Sequence, residues 1–561
     1  MGCVTRLTPT ARSNRSGTVT TYDVLVRGGM VYDGSGAPPV EADIAVDGDR
    51  IVKIGRLALD HGRNEIDARG RAVAPGFINM LSWATEALLH DGRGKSDVHQ
   101  GVTLEVVGEG FSYGPLNDAM KAYFREMMAA QELQYEIDWT TLGEHLDSVV
   151  RRGISPNIAS FVGMTTLRLH QMSYEDRSPT ASELETMQAL TRQAMLDGAV
   201  GVSSALIYPP AAYSKTDELI ALARVAAEYG GLYISHLRSE GNTLAEAFDE
   251  FLTILKESGI RGEIYHLKVM GQRNWDKLDW LIERIEDARR SGLEVTADMY
   301  PYPAGATGLD SSVPPWAHEG GRAALNARLV APETRARILK EMGEESTAWE
   351  NMRRLAGGAD KVLLCGFATE PLRKYTGWTL AAVAADRNQP PEEAILDLLV
   401  EDNSRIDTVY FTISEANLRR QMALPWVSFC SDEQATAPEG AFLKINPHPR
   451  AYGAFARVLG EYVREQQIIT LEDAIRRLTG LPASVLRIRQ RGLIQPNYYA
   501  DLVVFDPATI QDHATFTQPH QLATGVQHVL VNGTPVISEG EHTGALPGRV
   551  VRGPGWAGGQ S

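Results

Sequence analysis

From residue 22 to 56 apolar and polar positions alternate, as in "DVLVRGGMVYD" and "EADIAVDGDRIVKIG". A period of two marks strands with one buried face, and Asp47-Gly48 sits where a two-residue hairpin turn belongs. The far end repeats the pattern in "ADLVVFDP" (500–507) and "VQHVLVNGTPVIS" (526–538), with Asn532-Gly533 at the turn. The expectation is one small β-sandwich built from both chain ends, residues 22–75 with 491–555. Across 76–490 the rhythm changes. Short apolar runs, among them "LEVVGEG", "GLYISHL", "GEIYHLKV", "GLEVTADMY" and "WVSFCSD", alternate with amphipathic stretches such as "SELETMQALTRQAMLDG". Strands alternating with helices predict an α/β fold with a parallel sheet. About eight such units, with no Gly-rich phosphate turn after the first, predict a (β/α)8 TIM-like barrel rather than an open sheet. The charged, helical stretch 310–365 breaks the rhythm and reads as an insertion at the active face.

Composition narrows the choice of partners. The chain has 561 residues, 43% hydrophobic and 22% charged, an ordinary balance for a globular enzyme. A net charge of −16 argues against nucleic acid, whose phosphates it would repel. No stretch approaches the roughly 20 apolar residues of a membrane span. Residues 1–21 are polar, lack the apolar run of a signal peptide, and read as a disordered tail. Three cysteines suggest a reducing compartment, with the cytoplasm as the expected location. The sequence leaves a homo-oligomer open.

In a barrel of this kind the chemistry lies at the C-terminal ends of strands. Those ends carry Glu109, His236, His266 with Lys268 two places on, Asp298 and Tyr300 followed by Tyr302, and Asp432. Two histidines and two carboxylates converging on one mouth suit zinc with an open coordination position. Asp432 could take the proton of an activated water. Lys268 could receive a substrate carboxylate. Each residue also has a plainer reading. A single histidine after a strand is more often structural, and Glu109 between glycines could be a loop charge. Asp298 is better suited to orienting a loop than to catalysis, and Asp432 beside Glu433 could be a surface acidic pair. Cys365 and Cys430, in apolar strands, read as packing residues.

The ordered pieces "GAVGVSSALIYPPAAYS", "YISHLRSEG", "YHLKVMG", "DMYPYPAGATGL", "SDEQ" and "HPRAYGAFARVLGEYVRE", with "RGLIQPNYYADLVVFDP" near the end, carry a further signal. From about residue 22 to 555 the chain resembles the N-acyl-D-amino-acid deacylases of the amidohydrolase superfamily. The resemblance implies a distorted barrel with a β-sandwich, and zinc-dependent cleavage of the amide of an N-acylated D-amino acid. It implies that His236 and His266 are ligands of a tight zinc site, with Glu109 as a substitute for the second-strand ligand. Asp432 then serves at the metal as the catalytic acid and base. Lys268 and a tyrosine of "DMYPY" (Tyr300 or Tyr302) hold the substrate carboxylate, and Arg450 lies near the mouth. The departures are specific. The family's Asp-x-His-x-His is Asn79-Met80-Leu81-Ser82-Trp83 here, and its third-strand histidine falls at Met164.

The expected activity is therefore a hydrolase with one zinc ion per chain, acting on a small N-acyl amino acid that carries a carboxylate. Two alternatives stand beside it. One is an amidohydrolase of cyclic amides or dipeptides. The other is a catalytically silent barrel that only binds.

Overall fold

The computed structural model describes residues 20–129, 135–556 and 558. The tail expected over residues 1–21 falls outside them except for its last two residues, and Thr21 already begins a strand.

Eight parallel strands follow chain order through the middle: Phe77–Ser82, Val102–Val107, Asn157–Ser160, Gly201–Ala205, Leu232–His236, Arg261–Ile264, Val295–Met299 and Val427–Phe429. Most of their residues are buried on both faces, as expected of parallel strands covered by helices. The first three form one ladder and the last five another. Val162–Gly163, just past the third strand, pairs with Val202 and Ser203 of the fourth. Across the seam between eighth and first, Asp432 N–H donates to the Leu81 carbonyl (2.9 Å) and Ser431 N–H to Asn79 Oδ1 (2.9 Å). Thus the residues that follow the eighth strand meet the first strand itself.

The helices between these strands are built as the sequence pattern requires. Leu244–Ser258 buries Leu244, Ala247, Phe248, Phe251, Leu252 and Leu255, one stripe at i, i+3, i+4 spacing. It stops at Gly259 in the left-handed conformation. Ala181–Leu196 starts on a reciprocal cap between Thr180 and Glu183.

The interruption expected over 310–365 is larger and has its own sheet. Gly305–Gly308, Val362–Gly366 and Asp407–Tyr410 form three antiparallel strands, with Asp407–Tyr410 in the centre. Helices such as Pro391–Asp402 share with that sheet a core of Leu309, Val362, Leu364, Leu399 and Tyr410. The sequence pattern marked only the charged helices, because the strands at either side resemble the central ones.

Strands from both termini belong to one nine-stranded sheet, eight of them on a single hydrogen-bonded path, joined where Ala72–Pro75 pairs with Leu502–Phe505. The expected sandwich thus reads as one continuous sheet. Its second hairpin turns at Asn532 and Gly533 (φ +49° and +79°), both left-handed as a type I′ turn requires. The first turns at Gly48-Asp49, one residue later than expected. Gly48 takes the positive φ (+56°), and Asp47 stays in the ladder opposite Arg50. Past His542 the chain leaves this sheet and runs along the third central strand, where Ile158 N–H donates to the Arg549 carbonyl (3.0 Å). No helix among the described residues is long and apolar enough to cross a membrane.

Candidate metal centre

After the second strand the chain turns at Gly108 and Gly110, with φ of +105° and +61°. A Cβ at either would come within 2.7 Å of a neighbour, the Phe161 carbonyl or the Ala205 methyl. Only glycine allows so tight a return, and it aims Glu109 into the space between strand ends. His236 ends the fifth strand, and His266 lies just past the sixth. Glu109 Oε1 sits 3.1 Å from His236 Nδ1 and 3.1 Å from His266 Nε2. One ligand atom from each of the three lies within 4.8 Å of the others. All three residues are buried.

The opposite ring nitrogens both face a residue that sequence reasoning missed. His236 Nε2 lies 3.3 Å from Glu240 Oε2, and His266 Nδ1 lies 3.2 Å from Glu240 Oε1. Glu240 thus stands within ion-pair distance behind both imidazoles, with His236 Nε2 making no hydrogen bond to it. The donor set, one carboxylate oxygen and two imidazole nitrogens with a carboxylate behind them, fits a zinc-like cation. Burial pushes the Glu109 carboxyl up. The hydrogen bonds from His236 and His266 outweigh that and hold it well below the usual carboxylate range. Glu240 stands in "HLRSEG", and its only sequence signal was an acid four places beyond a ligand.

Two members of the site hold unusual backbone angles. His266 has φ +35° and Asp432 has φ +51°, a conformation that costs a residue with a Cβ about 1–2 kcal/mol. Hydrogen bonds hold both in place. Asp298 Oδ1 accepts from His266 N–H at 2.7 Å, which makes Asp298 the orienting acid its position suggested. Asp432 N–H is held by Leu81.

Asp432 is buried beside this cluster. Its Oδ2 lies 2.7 Å from Arg450 Nη1, and its Oδ1 accepts from Trp83 Nε1 at 3.3 Å. Burial raises its carboxyl above the ordinary range, against the opposing charge of Arg450. Arg450 lies over the Tyr300 ring, 4.4 Å from its centroid. The Tyr300 hydroxyl and Arg450 Nε are both buried without a hydrogen-bond partner.

The remaining expected residues are placed differently. Tyr302 turns its hydroxyl to Asp512 Oδ2 and the Pro449 carbonyl, at 3.4 and 3.5 Å. It packs against His448 rather than entering the cluster. Lys268 is buried, with Nζ 2.8 Å from Glu240 Oε1, 2.7 Å from His266 Nδ1 and 3.3 Å from the His266 carbonyl. Its donors are engaged within the protein. Leu81 is fully buried, whereas Trp83 is 37% exposed at the rim. Met164 begins the helix Met164–Met172 and is buried. A surface hollow of about 400 Å³ lies elsewhere, between Trp275, Leu355 and Phe411, and none of these site residues lines it.

Residues 444–537 match the Amidohydrolase family. Over 535 residues the chain is 33% identical to the D-aminoacylase of Alcaligenes xylosoxydans xylosoxydans, covering 94% of this chain and 97% of that one. The chain belongs to the D-aminoacylase family. It is an amidohydrolase, an enzyme that cleaves amide bonds. N-acyl-D-aspartate deacylase of the same organism is 33% identical over 532 residues, 94% of this D-aminoacylase-family chain and 95% of that protein. A solved structure of N-acyl-D-glutamate deacylase from Bordetella bronchiseptica holds zinc and a phosphonate mimic of the tetrahedral intermediate. It superposes with a TM-score of 0.79 at 32% identity, covering 95% of this chain and 100% of that one. A structure addressing the binuclear metal centre of D-aminoacylase, with one-metal activation and second-metal attenuation, also gives 0.79 at 32% identity, with the same coverage.

Proposed function

We propose that this chain hydrolyses the amide of N-acyl-D-amino acids with one zinc ion, held by Glu109, His236 and His266. The observation that carries the reading is Glu109 Oε1 standing 3.1 Å from both imidazoles, with Asp432 adjoining through Trp83. When bound, zinc supplies Lewis acidity to water and to the scissile carbonyl. Asp432, buried and with a raised proton affinity, takes the proton of the attacking water and returns it to the leaving amine. Its place at the rim of the donor set also suits it to touch the ion. Arg450 and Tyr300 receive the substrate carboxylate, because each has a buried polar atom without a partner. Lys268 instead neutralises Glu240.

We further read the eight central strands as one closed (β/α)8 barrel over 76–490, and the terminal sheet as its companion domain. The substrate is a small acid. Free, buried Cys365 and Cys430 support a reducing, cytoplasmic setting.

The test is elemental analysis of purified protein beside hydrolysis of paired N-acetyl-D- and N-acetyl-L-amino acids. One zinc per chain and turnover of the D members are expected. Turnover confined to L substrates would end the stereochemical reading, and active protein without metal would end the zinc reading.

A further inference from the structure

We propose that the indole N–H of Trp83 is a positioning group that ties Glu109 to Asp432 and keeps a second cation out of the gap between them. The inference rests on the one-zinc reading above and extends it to a residue with no ligand chemistry of its own. Trp83 Nε1 lies 3.2 Å from Glu109 Oε2 and 3.3 Å from Asp432 Oδ1. It thus makes one forked contact to the outer oxygen of the candidate metal ligand and to the candidate base. Glu109 has two oxygens with two assignments. Oε1 faces both histidines, and Oε2 faces the indole.

Two carboxylate oxygens converging on one point are an arrangement that a cation would ordinarily bridge. Here the point is held by a neutral donor fixed at the end of the first strand. Its own backbone N–H donates to the Glu433 carbonyl at 2.9 Å, so the ring is anchored on the same segment as Asp432. The donor does two things a cation would also do. It relieves repulsion between the two carboxylates, and it fixes which oxygen of each one points inward. It leaves no coordination position and adds no charge. Arg450, 2.7 Å from the other oxygen of Asp432, completes the fixing of the base.

The experiment replaces Trp83 in the full-length protein with benzothienylalanine, which keeps the two fused rings but has no N–H, and separately makes Trp83→Phe. Zinc per chain is measured across a zinc titration, together with kcat, KM and the pH profile of kcat. Wild type is expected to hold one ion throughout. Both variants are expected to take up a second at raised zinc, with kcat about tenfold lower, KM little changed and a displaced pH profile. Variants that keep one ion and the wild-type profile would overturn the role of Trp83 while leaving the one-zinc reading intact. Wild type binding two ions would overturn the exclusion, and wild type binding none would remove both. If Trp83→Phe alone misfolds, the benzothienyl protein decides, since it preserves the packing.

Discussion

Lys268 Nζ lies 2.8 Å from Glu240 Oε1, and Glu240 faces the outer nitrogens of both His236 and His266. Lys268 also reaches His266 Nδ1 directly at 2.7 Å, but only Glu240 faces both imidazoles, which makes it the acid placed to support the candidate ligands. Glu240→Gln should weaken zinc binding about 10–100-fold, as losses behind metal-bound histidines do. It also leaves Lys268 as an unpaired buried charge, a cost of about 3–5 kcal/mol. The double variant Glu240→Gln with Lys268→Met should therefore regain stability without regaining affinity. Chelator competition and thermal unfolding measure the two separately. Unchanged affinity in both variants would show that the histidines need no support.

Asp432→Asn keeps the side-chain size but cannot accept a proton. Turnover should fall about 10²–10⁴-fold with zinc content unchanged. Near-normal rates would move the base elsewhere.

The carboxylate assignment separates Tyr300 from Lys268. Tyr300→Phe should raise KM about 10–100-fold for substrates with a free carboxylate and leave their neutral amides nearly unaffected, the value of one hydrogen bond to a charged group. Lys268→Met should harm acids and amides alike, because it acts through Glu240. A selective loss on acids in the lysine variant would return the carboxylate to Lys268.

These two residues also mark how far the sequence could be read. Both stand at strand ends, and that placement is legible from apolar runs. Which way each side chain turns is not, since it depends on an acid that a loop brings back. His236, His266, Glu109 and Asp432 could be singled out because each closes an apolar strand or the turn after it. Glu240 lies in a loop whose burial comes only from packing. Tyr302 shared every local feature of Tyr300, yet its ring turns to His448 and its hydroxyl to Asp512. The strands of the insertion escaped because four-residue apolar runs look alike whether their sheet is central or peripheral.

Glu105 gives a prediction for stability. It is fully buried in the second strand, and burial pushes its carboxyl up to about 7, against hydrogen bonds from Ser82 and Asn79. The unfolded chain releases this proton near the ordinary value of about 4.5, whereas the fold retains it. Stability should therefore fall as pH rises from about 4.5 to about 7 and then level, a total of about 3 kcal/mol from this group. Glu105→Gln carries no such proton. Melting temperatures of both proteins at pH 5.5 and 8 should show a smaller drop in the variant, and parallel drops would refute the assignment.

The pairing of Ala72–Pro75 with Leu502–Phe505 sets a timetable for the ribosome. A strand made early must wait for a partner made near the end. At about 5–20 residues per second, that interval is on the order of tens of seconds. Throughout it, Ala72, Val73 and Ala74, buried in the finished molecule, show an unpaired edge to solvent or chaperones. A nascent chain stalled between Arg450 and Leu502 thus holds every candidate site residue and is still adhesive at its early strand.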